Sequence, residues 1–146
     1  MKFFVSASLL SLAGLVASAN IGRSAGVSCS EADRFGDPTV TPSTGLKVGS
    51  SITVNVDLTC SNQFGFDVTA LDYAIAIPAN LNNGVAQTVS LGHHSIAPGA
   101  VHDSLTATIP NAHFVSGQTY NLVLTNSFVN DGVATSGGVL TPITFA

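Results

Sequence analysis

The residue pattern predicts an all-β protein, an antiparallel β-sandwich of about seven strands that is immunoglobulin- or fibronectin-like. Three observations predict it. Residues Ile52 to Leu58 alternate apolar and polar side chains with the period of a half-buried strand, and several later runs do the same. Clusters of Gly, Pro, Asn and Asp separate these runs at short intervals. Beyond residue 19, no stretch repeats its apolar residues with the period of a helix. Strands of this kind bury their apolar faces when two sheets pack together.

The chain opens with Lys2, an apolar run from Phe3 to Val16, and Ala17-Ser18-Ala19, which has the small-x-small form of a signal-peptidase site. Residues 1–19 are therefore expected to be a signal peptide, with Asn20 as the first mature residue. The apolar run falls short of the roughly 20 residues that span a bilayer, so no membrane anchor is expected in the mature chain. Residues 20–37 lack periodicity and are expected to form an N-terminal arm. The sandwich domain is expected over 38–146.

A short strand is expected at Thr39–Thr41, stopped by Pro42, with Pro42-Ser43-Thr44-Gly45 as a turn. The clearest strand follows Gly49-Ser50 and runs through Ile52, Val54, Val56 and Leu58 to Cys60. Ser61 to Ala70 is expected to be a loop holding Phe64 and Phe66. Leu71, Tyr73, Ile75 and Ile77 mark the next strand, which Pro78 stops. Val85 to Leu91 is expected to be a strand, and Gly92 to Asp103 a long connection carrying His93, His94 and His102. Leu105, Ala107 and Ile109 mark a strand ending at Pro110. Tyr120, Leu122 and Leu124 open a strand that reaches Phe128, and Asn130-Asp131-Gly132 is a hairpin signal. The last strand is expected within Val139 to Phe145, where Pro142 confines it to an edge or a bulge.

Charged residues make up only 8% of the chain, so Ser, Thr, Asn and Gly carry most of its polarity. After residue 19 there are Arg23, Arg34 and Lys47 against eight acidic residues, a net charge of −5. With no basic cluster, a nucleic-acid partner is not expected. Cys29 and Cys60, an even pair in an expected oxidising compartment, are predicted to form a disulfide. Their separation does not match a metal or redox motif. There is no Asn-x-Ser/Thr triplet, so N-glycosylation is not expected, while O-glycosylation stays open. The C-terminus has neither the polar spacer nor the hydrophobic tail of a lipid-anchor signal, and a freely secreted protein is expected.

Gly117-Gln118-Thr119-Tyr120 ahead of Asn121-Leu122-Val123-Leu124 is similar to the sixth-strand entry of such sandwiches, where a tyrosine hydroxyl bonds back across the corner. The antibody hallmark is missing, because there is no Trp and the cysteines do not bridge the second and sixth strands. The signal peptide, the Ser/Thr/Asn-rich body, Leu46-Lys47-Val48-Gly49-Ser50 and Val115-Ser116-Gly117-Gln118-Thr119-Tyr120 together resemble small secreted fungal proteins with an immunoglobulin-like sandwich. They loosely resemble the N-terminal module of fungal cell-wall β-glucan assembly proteins. That resemblance implies an extracellular place and a cell-wall polysaccharide, or a host or surface protein, as partner. It assigns no functional residues.

In a seven-strand sandwich, alternate connections gather at one end. The loops Ser61 to Ala70, Gly92 to Asp103 and Val129 to Gly138 would share a tip, where His93, His94 and His102 would meet Asp67, Asp103 and Asp131. Imidazole and carboxylate groups together can hold Zn²⁺ or Cu²⁺. Their spacing matches no ligand motif, and solvated loop histidines are the simpler alternative. Phe64 and Phe66 are candidate contact aromatics, with at least one ring expected to be buried. Glu31 is the only glutamate, Asp57 and Asp72 lie on polar strand faces, and no Gly-x-Ser-x-Gly elbow occurs. The expectation is a secreted non-enzymatic protein without a cofactor, acting at the fungal cell surface or wall or as a small effector on a host. The alternative is a metal- or ligand-binding module using the histidine tip.

Overall fold

The computed structural model of the protein describes residues 28–146. The expected signal peptide and the first part of the arm lie outside the described residues. Seven strands form two antiparallel sheets: β1 (Asp37–Thr41), β2 (Ser51–Asp57), β3 (Asp67–Ile77), β4 (Gln87–Ser95), β5 (His102–Thr108), β6 (Thr119–Asn130) and β7 (Val133–Thr144). One sheet has the order β1-β2-β5 and the other β4-β3-β6-β7. The fourth strand thus stays beside the third instead of crossing to the first sheet. The all-β sandwich expected from the periodicity is the fold.

The inner faces carry the core. Ile52, Val54 and Val56 of β2 face Leu71, Tyr73 and Ile75 of β3 and Leu122 and Leu124 of β6, all at most 2% exposed. Burying each such aliphatic side chain stabilises the fold by about 1.5–3 kcal/mol. Tyr120 begins the inward row of β6, and its hydroxyl accepts the Val115 N–H at 2.7 Å, which forms the corner that the sequence signalled. Phe114 stacks on Phe145 at 4.0 Å beside it and closes that end of the core.

Several boundaries differ from expectation. β2 stops at Asp57, and Cys60 lies on a short helix, α1 (Thr59–Gln63), rather than on the strand. The Asp57 carboxylate accepts the Thr59 N–H at 2.7 Å and turns the chain out of the ladder. β3 begins at Asp67, so the loop is shorter than Ser61 to Ala70. β4 runs to Ser95 and β5 starts at His102, so half of the expected Gly92 to Asp103 connection is strand. β7 pairs with β6 along its whole length from a two-residue turn at Asp131-Gly132, with φ of 50° and 77°. Positive φ at both positions is the type I′ geometry that matches strand twist. Ala134 to Gly138 have no strand-like pattern, but long β6 needs partners for its backbone groups, and the hairpin supplies them. Pro142 sits on this edge strand, as its missing N–H requires.

The two open sides of the sandwich are closed differently. Beside β1 and β7, the segment 43–46 exchanges backbone bonds with the C-terminus: Thr144 N–H to Ser43 O and Leu46 N–H to Thr144 O, each at 3.0 Å. Beside β4 and β5, the closure uses side chains. Gly92 lies against Leu105, where a Cβ would stand 2.9 Å from Cδ1, so glycine lets these strands approach.

Candidate functional site

The connections β2–β3, β4–β5 and β6–β7 do share one end of the sandwich, together with the arm. Cys29 and Cys60 pair there, with Cα atoms 5.4 Å apart. The arm then makes a 3-10 turn (Glu31–Phe35) and seats the Phe35 ring on the backbone of Gly137. The Asn126 side-chain amide, at an inward position of β6, donates to Phe35 O at 3.3 Å. Phe66 stacks on buried Phe128 at 4.5 Å and on Phe35 at 6.0 Å. Phe64 stands at the rim of this cluster, 37% exposed.

The histidines do not gather at the tip. His93 and His94 lie within β4, where successive side chains point to opposite faces. The β3–β4 register shifts between Tyr73 and Ala74, leaving Leu91 as the extra residue. This bulge turns His94 inward and His93 outward, the reverse of what a simple continuation from inward Val89 would give. His93 Nδ1 meets Asp72 Oδ1 at 2.7 Å on the solvent face of the four-stranded sheet. His94 Nδ1 meets Asp103 Oδ2 at 2.8 Å between the sheets. His102 Nδ1 lies 3.9 Å from Asp57 Oδ1 on the outer face of the three-stranded sheet.

The expected meeting of His93, His94, His102, Asp67, Asp103 and Asp131 is thus corrected to three separate pairs. They include neither Asp67, at the start of β3, nor Asp131, in the hairpin turn. Among the described residues, no group of three or more His, Cys, Asp or Glu is placed to hold a metal ion. Strand pleating separates what a loop would have gathered.

The innermost pair is part of a larger unit. Tyr73 is fully buried, and its hydroxyl donates to Asp103 Oδ2 at 2.5 Å, the same oxygen that His94 approaches. Burial, and next the Asp103 hydrogen bond, push the Tyr73 phenol well above its ordinary pKa. Burial pushes the Asp103 carboxyl up, but the Tyr73 hydroxyl, His94 and the Ser104 N–H together outweigh it and hold it below the usual range. Side chains from β3, β4 and β5 thereby clasp the two sheets together.

The outer face of the three-stranded sheet is different. Register aligns Asp37 with Asp57 and His102 in one row, and Thr39 with Asn55 and Ser104 in the next. These six residues, with Val56 and Asp103 of the same strands, line a shallow groove of about 600 Å³. Ser104 Oγ donates to Asn55 Oδ1 at 2.8 Å, and Thr53 and Thr106 bond through their hydroxyls at 3.0 Å one row further on. The Thr59 hydroxyl and backbone N–H hold the Asp57 carboxyl below its ordinary pKa. The polar alternation of β2 and β5 hinted at this face, but its rows need the register of β1, which is only five residues long.

No family model, curated protein or solved structure matches the chain.

Proposed function

We propose that this chain is a secreted, non-enzymatic protein that works by contact at the outer surface or wall of a fungal cell. The observation that carries this reading is the disulfide between Cys29 and Cys60, which pins the arm to the end of a two-sheet sandwich. A bridge closing a loop of this length contributes about 3–4 kcal/mol in the chain-entropy account, and such bridges form and persist mainly in oxidising compartments. No helix among the described residues is long and apolar enough to cross a membrane, which is compatible with this place.

The His–Asp pairs support a non-catalytic role. His93 is paired with Asp72 on the solvent face and His94 with Asp103 of the other sheet, while His102 stands 3.9 Å from Asp57, beyond hydrogen-bond distance.

Expression with a C-terminal tag, followed by separation of medium, washed walls and cell contents, tests this. Recovery in the medium or in walls, with Cys29 and Cys60 oxidised, is expected. Retention inside cells with reduced thiols would overturn it.

A further inference from the structure

We infer that the groove on the outer face of the β1-β2-β5 sheet is a binding site for an extended, neutral polysaccharide chain recognised through its hydroxyl groups. This rests on the extracellular reading above and names a site for it.

The groove crosses three strands in register, so its side chains form a grid. Neighbouring strands are about 4.8 Å apart, and side chains on one face of a strand recur about every 6.8 Å. The first spacing is comparable to one pyranose unit. A chain lying across the strands would meet Asp37, Asp57 and His102 along one edge and Thr39, Asn55 and Ser104 along the other.

The chemistry of the lining selects among ligands. The Asp37 and Asp57 carboxylates only accept hydrogen bonds, Ser104, whose proton goes to Asn55, also accepts, and Thr39 and the Asn55 amide can donate as well. A diol, in which each hydroxyl donates and accepts, matches this mixture. Nucleic acids and acidic glycans would face the Asp37 and Asp57 carboxylates, with Asp103 also in the lining, and no Lys or Arg. An apolar ligand would strip water from six polar side chains without replacing it. A lysine-rich peptide could satisfy the carboxylates through its ammonium groups and is the competing ligand that the titration below includes.

Preorganisation favours the same ligand. The Ser104–Asn55 bond and the Thr59 N–H on Asp57 fix the orientation of side chains on a rigid sheet, which lowers the ordering cost of binding. No Trp, Tyr or Phe lines the groove, so recognition is edge-on and each site is weak. The high concentration of repeat units in a wall polymer would hold a weak binder by mass action.

The test is an amide chemical-shift titration of the secreted protein with laminarihexaose, cellohexaose and chitohexaose, beside polygalacturonate and tetralysine. Saturable shifts confined to residues 37–39, 55–57 and 102–104 are expected with at least one neutral hexasaccharide. The combined change Asp37→Ala, Asn55→Ala and Ser104→Ala should weaken that binding at least about tenfold, given three lost hydrogen-bonding groups. Ser90→Ala with Thr125→Ala, on the other sheet, should leave it unchanged. The unmodified protein's titration stands by itself if the triple variant fails to fold. No saturable shift with any of the three neutral probes would overturn the inference, as would shifts centred elsewhere or groove shifts with tetralysine or polygalacturonate alone. Because the titration uses purified protein, its failure leaves the extracellular reading standing, and retention inside cells would remove that reading whatever the titration shows.

Discussion

His93 and His94 are chain neighbours, and each places Nδ1 within 2.8 Å of an aspartate. Their chemistry is the same and their surroundings are not. The His93–Asp72 side chains are 57% and 52% exposed, against 35% and 18% for His94–Asp103. The outer pair is solvated on both sides, where such ion pairs contribute about 0–1 kcal/mol. The inner pair shares its carboxylate with the hydroxyl of a fully buried tyrosine and joins three strands across the open side of the sandwich. The difference teaches that burial and shared partners, rather than the pair itself, decide what a His–Asp contact does in this fold.

The sharpest way to break the comparison is to remove each aspartate. Asp103→Ala leaves the Tyr73 hydroxyl buried without its acceptor and should cost about 1–3 kcal/mol in urea unfolding. Asp72→Ala should stay within about 0.5 kcal/mol. Equal losses would mean that the clasp contributes no more than a surface contact.

The tyrosine sharpens the same point at about 1 kcal/mol, the net worth of one hydrogen bond. Tyr73→Phe keeps the ring and removes only the donor, so thermal unfolding should report that smaller loss. His94→Ala should cost a similar amount or less, and His93→Ala should fall within about 0.5 kcal/mol.

The clasp also sets two pH limits. Asp103 has a folded pKa below its unfolded value, so its contribution is complete above about pH 4 and is lost as pH falls through the folded pKa. Tyr73 has a folded pKa above its unfolded value, so its contribution holds below about pH 10 and declines as pH rises further. Asp103→Asn should flatten the acid side of the stability profile. Tyr73→Phe should flatten the alkaline side. A profile unchanged by either substitution would contradict the coupling.

The strands were legible because each buries one face. Ile52, Val54 and Val56 spell β2 directly, Asp131-Gly132 spells the hairpin, and Tyr120 announces its corner. The site was much less legible. Gly92 to Asp103 read as a connection because polar residues follow Leu91, and even a period-two continuation from Val89 would place His93 and His94 on the wrong faces, because the bulge at Leu91 shifts the register by one residue. Asp57 and Asp72 read as solubilising residues, since their histidine partners lie across strands, 45 and 21 positions away. The rows of the groove are likewise a product of register. Composition sees their polarity but not their alignment.

A further comparison sets the two outer sheet faces against each other. One carries the solvated His93–Asp72 pair, and the other carries the groove with its loosely spaced Asp57–His102 pair. The central claim is that this protein works outside the cell through the second face. The most direct measurement is co-sedimentation of the purified protein with washed fungal walls, comparing the unmodified chain, the Asp37→Ala/Asn55→Ala/Ser104→Ala variant and the Asp72→Ala/His93→Ala variant. The account predicts that the unmodified chain and the second variant sediment alike, while the first stays in solution. Sedimentation of the groove variant with undiminished affinity, or loss confined to the Asp72/His93 variant, would contradict it.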